Sequence, residues 1–142
     1  MITIEKSVIA DLPAIMEIEG LSFSNPWDKN QFEESLNNFY TAKEDGEIVG
    51  FIGVQLIQDE AHILHMAVDP EFRRQGIAKK MMEFALGFHV KKWYLEVRAS
   101  NIAAQKLYES FGFGIISRRK KYYQDNDEDA LIMELLPAGR QV

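Results

Sequence analysis

Hydrophobic positions recur along this chain at two spacings, about two and about 3.6 residues, and the switches between them divide it into elements. Residues 2–6 alternate weakly, as an edge strand does. Asp11 precedes Leu12, Ile15, Met16 and Glu19 at helical spacing. This predicts a capped helix with Pro13 in its first turn, where a missing N–H costs little. Ser24-Asn25-Pro26-Trp27 reads as a loop, and Asp28 with Gln31 as the capping box of a short helix carrying Phe32 and Leu36. Residues 40–43 and 48–57 are β-rich runs joined at Asp45-Gly46, which predicts a hairpin. The apolar run 62–68 ends at Asp69-Pro70 and reads as a buried strand. A helix over 76–88 follows, with Ile77, Met81, Phe84, Ala85 and Phe88 on one stripe. Residues 93–97 form a strand. Asn101 caps a helix over 102–111 that Gly112 ends. Residues 113–123 and 130–136 close the fold around Asp125-Asn126-Asp127, before a frayed tail at 137–142.

The predicted order, β-α-α-β-β-β-α-β-α-β-β, mixes hairpins with strand–helix–strand units. It specifies an α+β fold with one mixed sheet and helices on its faces. No repeat or linker interrupts the 142 residues, so a single domain spanning 1–142 is expected.

Two stretches carry candidate chemistry. In the first, the chain passes from the buried strand through Arg73-Arg74-Gln75-Gly76-Ile77-Ala78 into a helix. The first turn of a helix exposes unpaired N–H groups at the positive end of its dipole, and both favour a phosphate. Gly76 lacks a Cβ and lets a pyrophosphate approach the backbone closely. Gln75, Gly76, Ile77 and Ala78 offer N–H donors, and Arg73, Arg74 and Lys79 offer cations. The pattern is neither a dinucleotide fingerprint nor a P-loop. On its own it also fits a helix start beside solvated arginines. The second stretch is Leu95-Glu96-Val97-Arg98-Ala99-Ser100-Asn101, followed by Lys106-Leu107-Tyr108-Glu109-Ser110-Phe111-Gly112-Phe113. Strand alternation puts Glu96 with Tyr94 and Arg98, opposite Trp93, Leu95 and Val97. By pattern alone Glu96 reads first as a polar strand residue and Tyr108 as a core aromatic.

Composition removes several alternatives. The chain has no cysteine, which excludes disulfides, thiolate nucleophiles and cysteine zinc sites. The first residues show no basic segment leading into an apolar block, and no apolar run approaches a membrane span, so the cytoplasm is expected. A net charge of −6 disfavours nucleic acid. Arg118-Arg119-Lys120-Lys121 falls on a strand, so its side chains alternate between faces and form no single patch. His62 and His65 diverge on their strand without a third ligand, so no metal is expected.

The segment Arg73 to Ala78 resembles the Arg/Gln-x-x-Gly-x-Gly/Ala pattern of the GCN5-related N-acetyltransferase (GNAT) superfamily, and Leu64-His65-Met66-Ala67-Val68-Asp69-Pro70 is similar to its preceding strand. The Glu96 and Tyr108 block closely resembles the RimI-type N-terminal acetyltransferases within it. That resemblance extends to Pro26-Trp27, to Arg119-Lys120-Lys121-Tyr122-Tyr123 and to Glu128-Asp129-Ala130, nearly the whole chain. It implies a GNAT fold: a mixed, mostly antiparallel sheet with a splayed central strand pair and helices on both faces. It implies acetyl-CoA as co-substrate, its pantetheine arm lying along Met66, Ala67 and Val68 like an added strand and also contacting Asn101. It further implies Glu96 as base and Tyr108 as acid. Phe23, Trp27, Tyr122 and Tyr123 would then flank the N-terminus of a ribosomal protein whose terminal alanine is acetylated. Arg73 stands where glutamine is frequent and Ala78 where a second glycine is, both within the pattern. A monomer without nucleic-acid or membrane partners is expected. Two other readings are a small-molecule or lysine acceptor, and a non-catalytic module that binds acetyl-CoA or a partner.

Overall fold

The computed structural model describes residues 1–23 and 25–137; Ser24 of the predicted loop and the predicted tail beyond Pro137 lie outside them. Strand β1 (Ile2–Lys6) leads to helices α1 (Leu12–Ser22) and α2 (Lys29–Ser35). Strands β2 (Phe39–Glu44), β3 (Glu47–Ile57) and β4 (Glu60–Val68) follow, then α3 (Ile77–Ala85), β5 (Lys92–Arg98), α4 (Ile102–Ser110), β6 (Gly114–Tyr123) and β7 (Glu128–Leu135). This is the predicted order. The strands are hydrogen-bonded in the sequence β1-β2-β3-β4-β5-β7-β6. β4 and β5 run parallel, while β1–β2, β2–β3, β5–β7 and β6–β7 are antiparallel. The β4–β5 ladder runs from Glu60↔Lys92 to Ile63↔Leu95, and the next positions, Leu64 and Glu96, stand outside it.

The backbone forms two compact units, one of residues 1–54 with 65–87, the other of 55–64 with the described part of 88–142. In the first unit, Asp45 and Gly46 take left-handed φ of 50° and 87°, as a two-residue hairpin turn requires. Asp28 and Gln31 form the predicted reciprocal cap, each side chain accepting the other's backbone N–H at 2.9 Å. The core joins Leu12, Ile15 and Ile18 of α1 to Phe32, Phe39, Phe51 and Ala67. Phe32 meets Phe39 and Phe51 edge-on, with centroids 5.3 Å and 6.0 Å apart, a geometry that suits the ring quadrupoles.

Close approach of β3 and β4 depends on Gly50. A Cβ there would stand 2.9 Å from the Ala67 carbonyl oxygen. Gly50→Ala should therefore destabilise the protein by about 1–3 kcal/mol, since backbone must move. At the exposed Gly20 of α1, a Cβ meets nothing within 4 Å. Gly20→Ala should stabilise by about 0.5–1 kcal/mol. Urea denaturation of the two variants checks both signs.

In the second unit β5 alternates as expected: Trp93, Leu95 and Val97 are buried and Glu96 is exposed. Asn101 Oδ1 accepts the Ala104 N–H at 3.1 Å, capping α4, and Gly112 leaves the helix at φ 100°.

Three expectations fail. Asp11 does not cap α1 with its side chain. A 3-10 turn (Ile9–Asp11) precedes the helix, and Asp11 Oδ2 instead accepts the Val8 N–H at 2.9 Å. Helix α3 stops at Ala85, short of Phe88, because Gly87 N–H reaches back only three residues to Phe84 and tightens the last turn. Strand β6 is not regular. Between Arg119↔Ala130 and Tyr123↔Glu128 it carries two residues more than β7, and Lys121 has φ 52°. Asp129 holds this bulge, accepting from the Lys121 N–H at 3.0 Å and from Arg118 Nε at 2.6 Å. Simple alternation across Arg118-Arg119-Lys120-Lys121 is therefore lost.

Candidate active site

In the first unit, β4 ends in a 3-10 turn at Pro70–Phe72, and an exposed loop returns to α3. Gly76 adopts φ 79°, ψ 14°, a left-handed conformation that opens the helix. Arg74 is also left-handed, at φ 66°. A Cβ at Gly76 would meet open space, so the backbone there is accessible to a bulky anion. Gln75, Ala78 and Lys79 stand at the start of α3, with Ile77 turned into the core. This geometry suits a diphosphate. Arg73 is folded back on the strand: its Nε donates to the Val68 carbonyl at 3.2 Å and its Nη2 to Ser22 Oγ at 3.3 Å. Met66 and Val68 are half-buried and Ala67 is buried, while the Asp69 N–H is engaged by the Val49 carbonyl at 2.8 Å.

Phe23 and Trp27 are brought together by a residue that sequence pattern did not assign to the site. The His65 ring stacks on Phe23, with centroids 5.0 Å apart and planes 14° from parallel, and lies 4.5 Å from the Trp27 centroid. Glu19, 0% exposed, accepts the Trp27 N–H at 2.9 Å and stands 3.1 Å from His65 Nε2. The signal for Glu19 was present: it lies four residues after Ile15, on the apolar stripe of α1, and a carboxylate there needs partners when buried.

In the second unit the strand–helix–hairpin elements gather Glu96, Tyr108, Tyr122 and Tyr123. A hydrogen bond to the Glu96 carboxylate raises the Tyr122 phenol above its ordinary value. Burial pushes Tyr123 up to about 12, and the nearby Glu96 charge adds to it. Tyr108 is 9% exposed; burial raises it to about 12 as well, with a further push from Tyr123. Its ring packs 6.0 Å from Phe113. A phenol so placed remains protonated across the neutral range and is available as a donor. Asn101 is exposed at the head of α4. In the acidic turn Arg98 pairs with Asp125 and Glu128, and Arg118 pairs with Asp129.

The tyrosine shifts carry a stability consequence. An unfolded phenol ionises near 10 and the folded Tyr108 near 12, so the neutral buried form contributes fully below about pH 10. That contribution, on the order of 2–3 kcal/mol for Tyr108, is lost as pH rises from 10 to 12. Thermal melts should show a falling midpoint over that window, and Tyr108→Phe should flatten the fall.

Strand, glycine-opened helix, carboxylate and protonated phenol are the features on which the resemblance to the GNAT superfamily rests. Comparison with known proteins gives the same class and narrows it. The acetyltransferase (GNAT) family profile matches residues 12–113, and the chain belongs to that family. It is 38% identical over 146 residues to the ribosomal protein bS18-alanine N-acetyltransferase of Escherichia coli K12, covering 95% of this chain and 97% of that protein. The Haemophilus ducreyi protein of the same name is 40% identical over 144 residues, covering 93% and 98%. The crystal structure of the Escherichia coli ribosomal-protein-S18-alanine N-acetyltransferase superposes with a TM-score of 0.89 at 35% identity, covering 100% of this chain and 99% of that one. The GNAT fold and the use of acetyl-CoA expected from sequence follow from this membership. Among the described residues no helix is long and apolar enough to cross a membrane.

Proposed function

We propose that this enzyme acetylates the N-terminal alanine of a ribosomal protein of the bS18 type. The observation that carries the reading is the exposed Glu96 carboxylate on β5, hydrogen-bonded by the Tyr122 phenol and close to Tyr123, with Tyr108 buried beside Tyr123. A terminal amine has a reference pKa near 8 and is mostly protonated at neutral pH, so it needs a base before it can attack. Glu96 takes that proton, directly or through a water. Acetyl-CoA supplies the acetyl thioester. Tyr108, neutral and buried, supplies a proton where thiolate charge develops.

Gly76 and the first turn of α3, with Arg74 and Lys79, receive the diphosphate. Met66, Ala67 and Val68 offer backbone to the pantetheine arm, and Asn101 adds a polar contact. Phe23, Trp27, Tyr122 and Tyr123 receive the acceptor. The protein works in the cytoplasm, as a monomer, without nucleic-acid or membrane partners. The relatives named for bS18 alanine acetylation, matched nearly end to end, support this acceptor.

The test uses unacetylated bS18 as acceptor. One added acetyl group, located at the terminal alanine by fragmentation, is the expected result. Acetyl found only on lysine side chains would refute the proposal.

A further inference from the structure

Arg98 ends β5 on the same strand face as Glu96, and its guanidinium is committed to the β6–β7 turn. Nη2 donates to both Asp125 carboxylate oxygens at 3.1 Å. Nη1 donates to Asn126 Oδ1 at 3.3 Å and to Glu128 Oε1 at 3.4 Å. The guanidinium carbon lies 3.9 Å from the Tyr123 ring centroid. The side chains are 25% exposed for Arg98, 23% for Asp125 and 14% for Glu128. With Nη2 on Asp125 and Nη1 on Asn126 and Glu128, the planar guanidinium forks between two sides of the turn and fixes orientation, where a point charge fixes only distance. The same junction grips the turn twice more: the Ser100 N–H donates to Glu128 Oε2 at 2.6 Å and the Ala99 N–H to the Asp129 carbonyl at 3.0 Å.

These contacts sit beside an irregular stretch. Tyr122 lies within the bulge and Tyr123 closes it, where the β6–β7 ladder is interrupted. Asp129 holds the bulge at Lys121 and Arg118, and Arg98 adds a second hold, stacking on the Tyr123 ring and gripping the turn that follows it.

We propose that Arg98 is a positioning residue for acceptor binding, a latch that fixes the β6–β7 hairpin so that Tyr122 and Tyr123 stand beside Glu96. The proposal rests on the reading of Glu96 as base and of the two tyrosines as acceptor contacts. Lysine keeps the charge but neither forks nor stacks as a plane, so it should rescue only in part.

The test compares Arg98→Leu and Arg98→Lys with the unaltered protein, by steady-state kinetics on an alanine-first peptide and by amide hydrogen exchange. Acceptor KM should rise about tenfold or more in Arg98→Leu and less in Arg98→Lys. The KM for acetyl-CoA should stay within about twofold, and kcat should fall far less than in Glu96→Gln. Exchange should quicken over 121–129 and not elsewhere. An unchanged acceptor KM, or protection lost evenly along the chain, would overturn the latch. Exchange is read without turnover, so the two readings fail separately. An unaltered protein that transfers no acetyl counts against the acetyltransfer assignment, and unchanged exchange over 121–129 counts against the latch. Should Arg98→Leu fail to fold, Asp125→Asn opens the same fork from the other side and should raise acceptor KM in the same direction.

Discussion

Glu96→Gln should lower kcat by about 10²- to 10³-fold at neutral pH while acetyl-CoA affinity stays within about twofold. Glutamine keeps the size of the side chain and an oxygen that can still accept the Tyr122 hydrogen bond, so the hairpin is left in place. What it loses is the capacity to hold a proton. That loss has its own pH signature. The acceptor amine becomes neutral without help above its reference value near 8, so the variant should recover activity as pH rises through that point, and the unaltered enzyme should recover less. Rate measurements from about pH 7 to about pH 9.5, with calorimetric titration of acetyl-CoA, check both parts. A variant as fast as the parent at neutral pH would remove Glu96 from the role of base.

Tyr108→Phe comes second, with kcat expected to fall by about 10- to 100-fold. The smaller figure follows from the leaving group. A thiol ionises near 8.5 in its reference state, so a thiolate departs tolerably well without a donor, whereas a protonated amine cannot attack at all. Phenylalanine preserves the packing on Phe113, and only the hydroxyl is lost. Because Tyr108 is held near 12, the basic limb of the enzyme's own pH–rate profile should not report this phenol below about pH 11. Parallel profiles of parent and variant, differing in height alone over that range, are the expected outcome. A variant that keeps full kcat would leave the departing thiolate without this donor.

The elements were largely legible in the chain because the periods that define them were clean. The β5 alternation and the Asp45-Gly46 turn were read from side-chain pattern and turn chemistry, both local properties. What was not legible arose where a local preference had two outlets. Asp11 had a helix end to cap and a preceding turn to bond, and the turn won. The bulge in β6 depends on a carboxylate eight residues further on, Asp129, which no strand period encodes. Of the candidate residues, Glu96 was placed by alternation and Gly76 by helix-start chemistry. The Glu19–His65 contact beneath Phe23 and Trp27 joins a helix to a strand distant in sequence. Spacing does not reveal such a contact, although a carboxylate on an apolar stripe announces that some partner exists.

The central claim is transfer to a free terminal amine, and mass spectrometry of peptides tests it most directly. An alanine-first peptide, its twin with a blocked N-terminus, and a blocked peptide bearing lysine would each be incubated with the protein and acetyl-CoA. The account predicts one added acetyl group on the free alanine peptide and none on the other two. Acetyl on the blocked lysine peptide, or on none of the three, would contradict it.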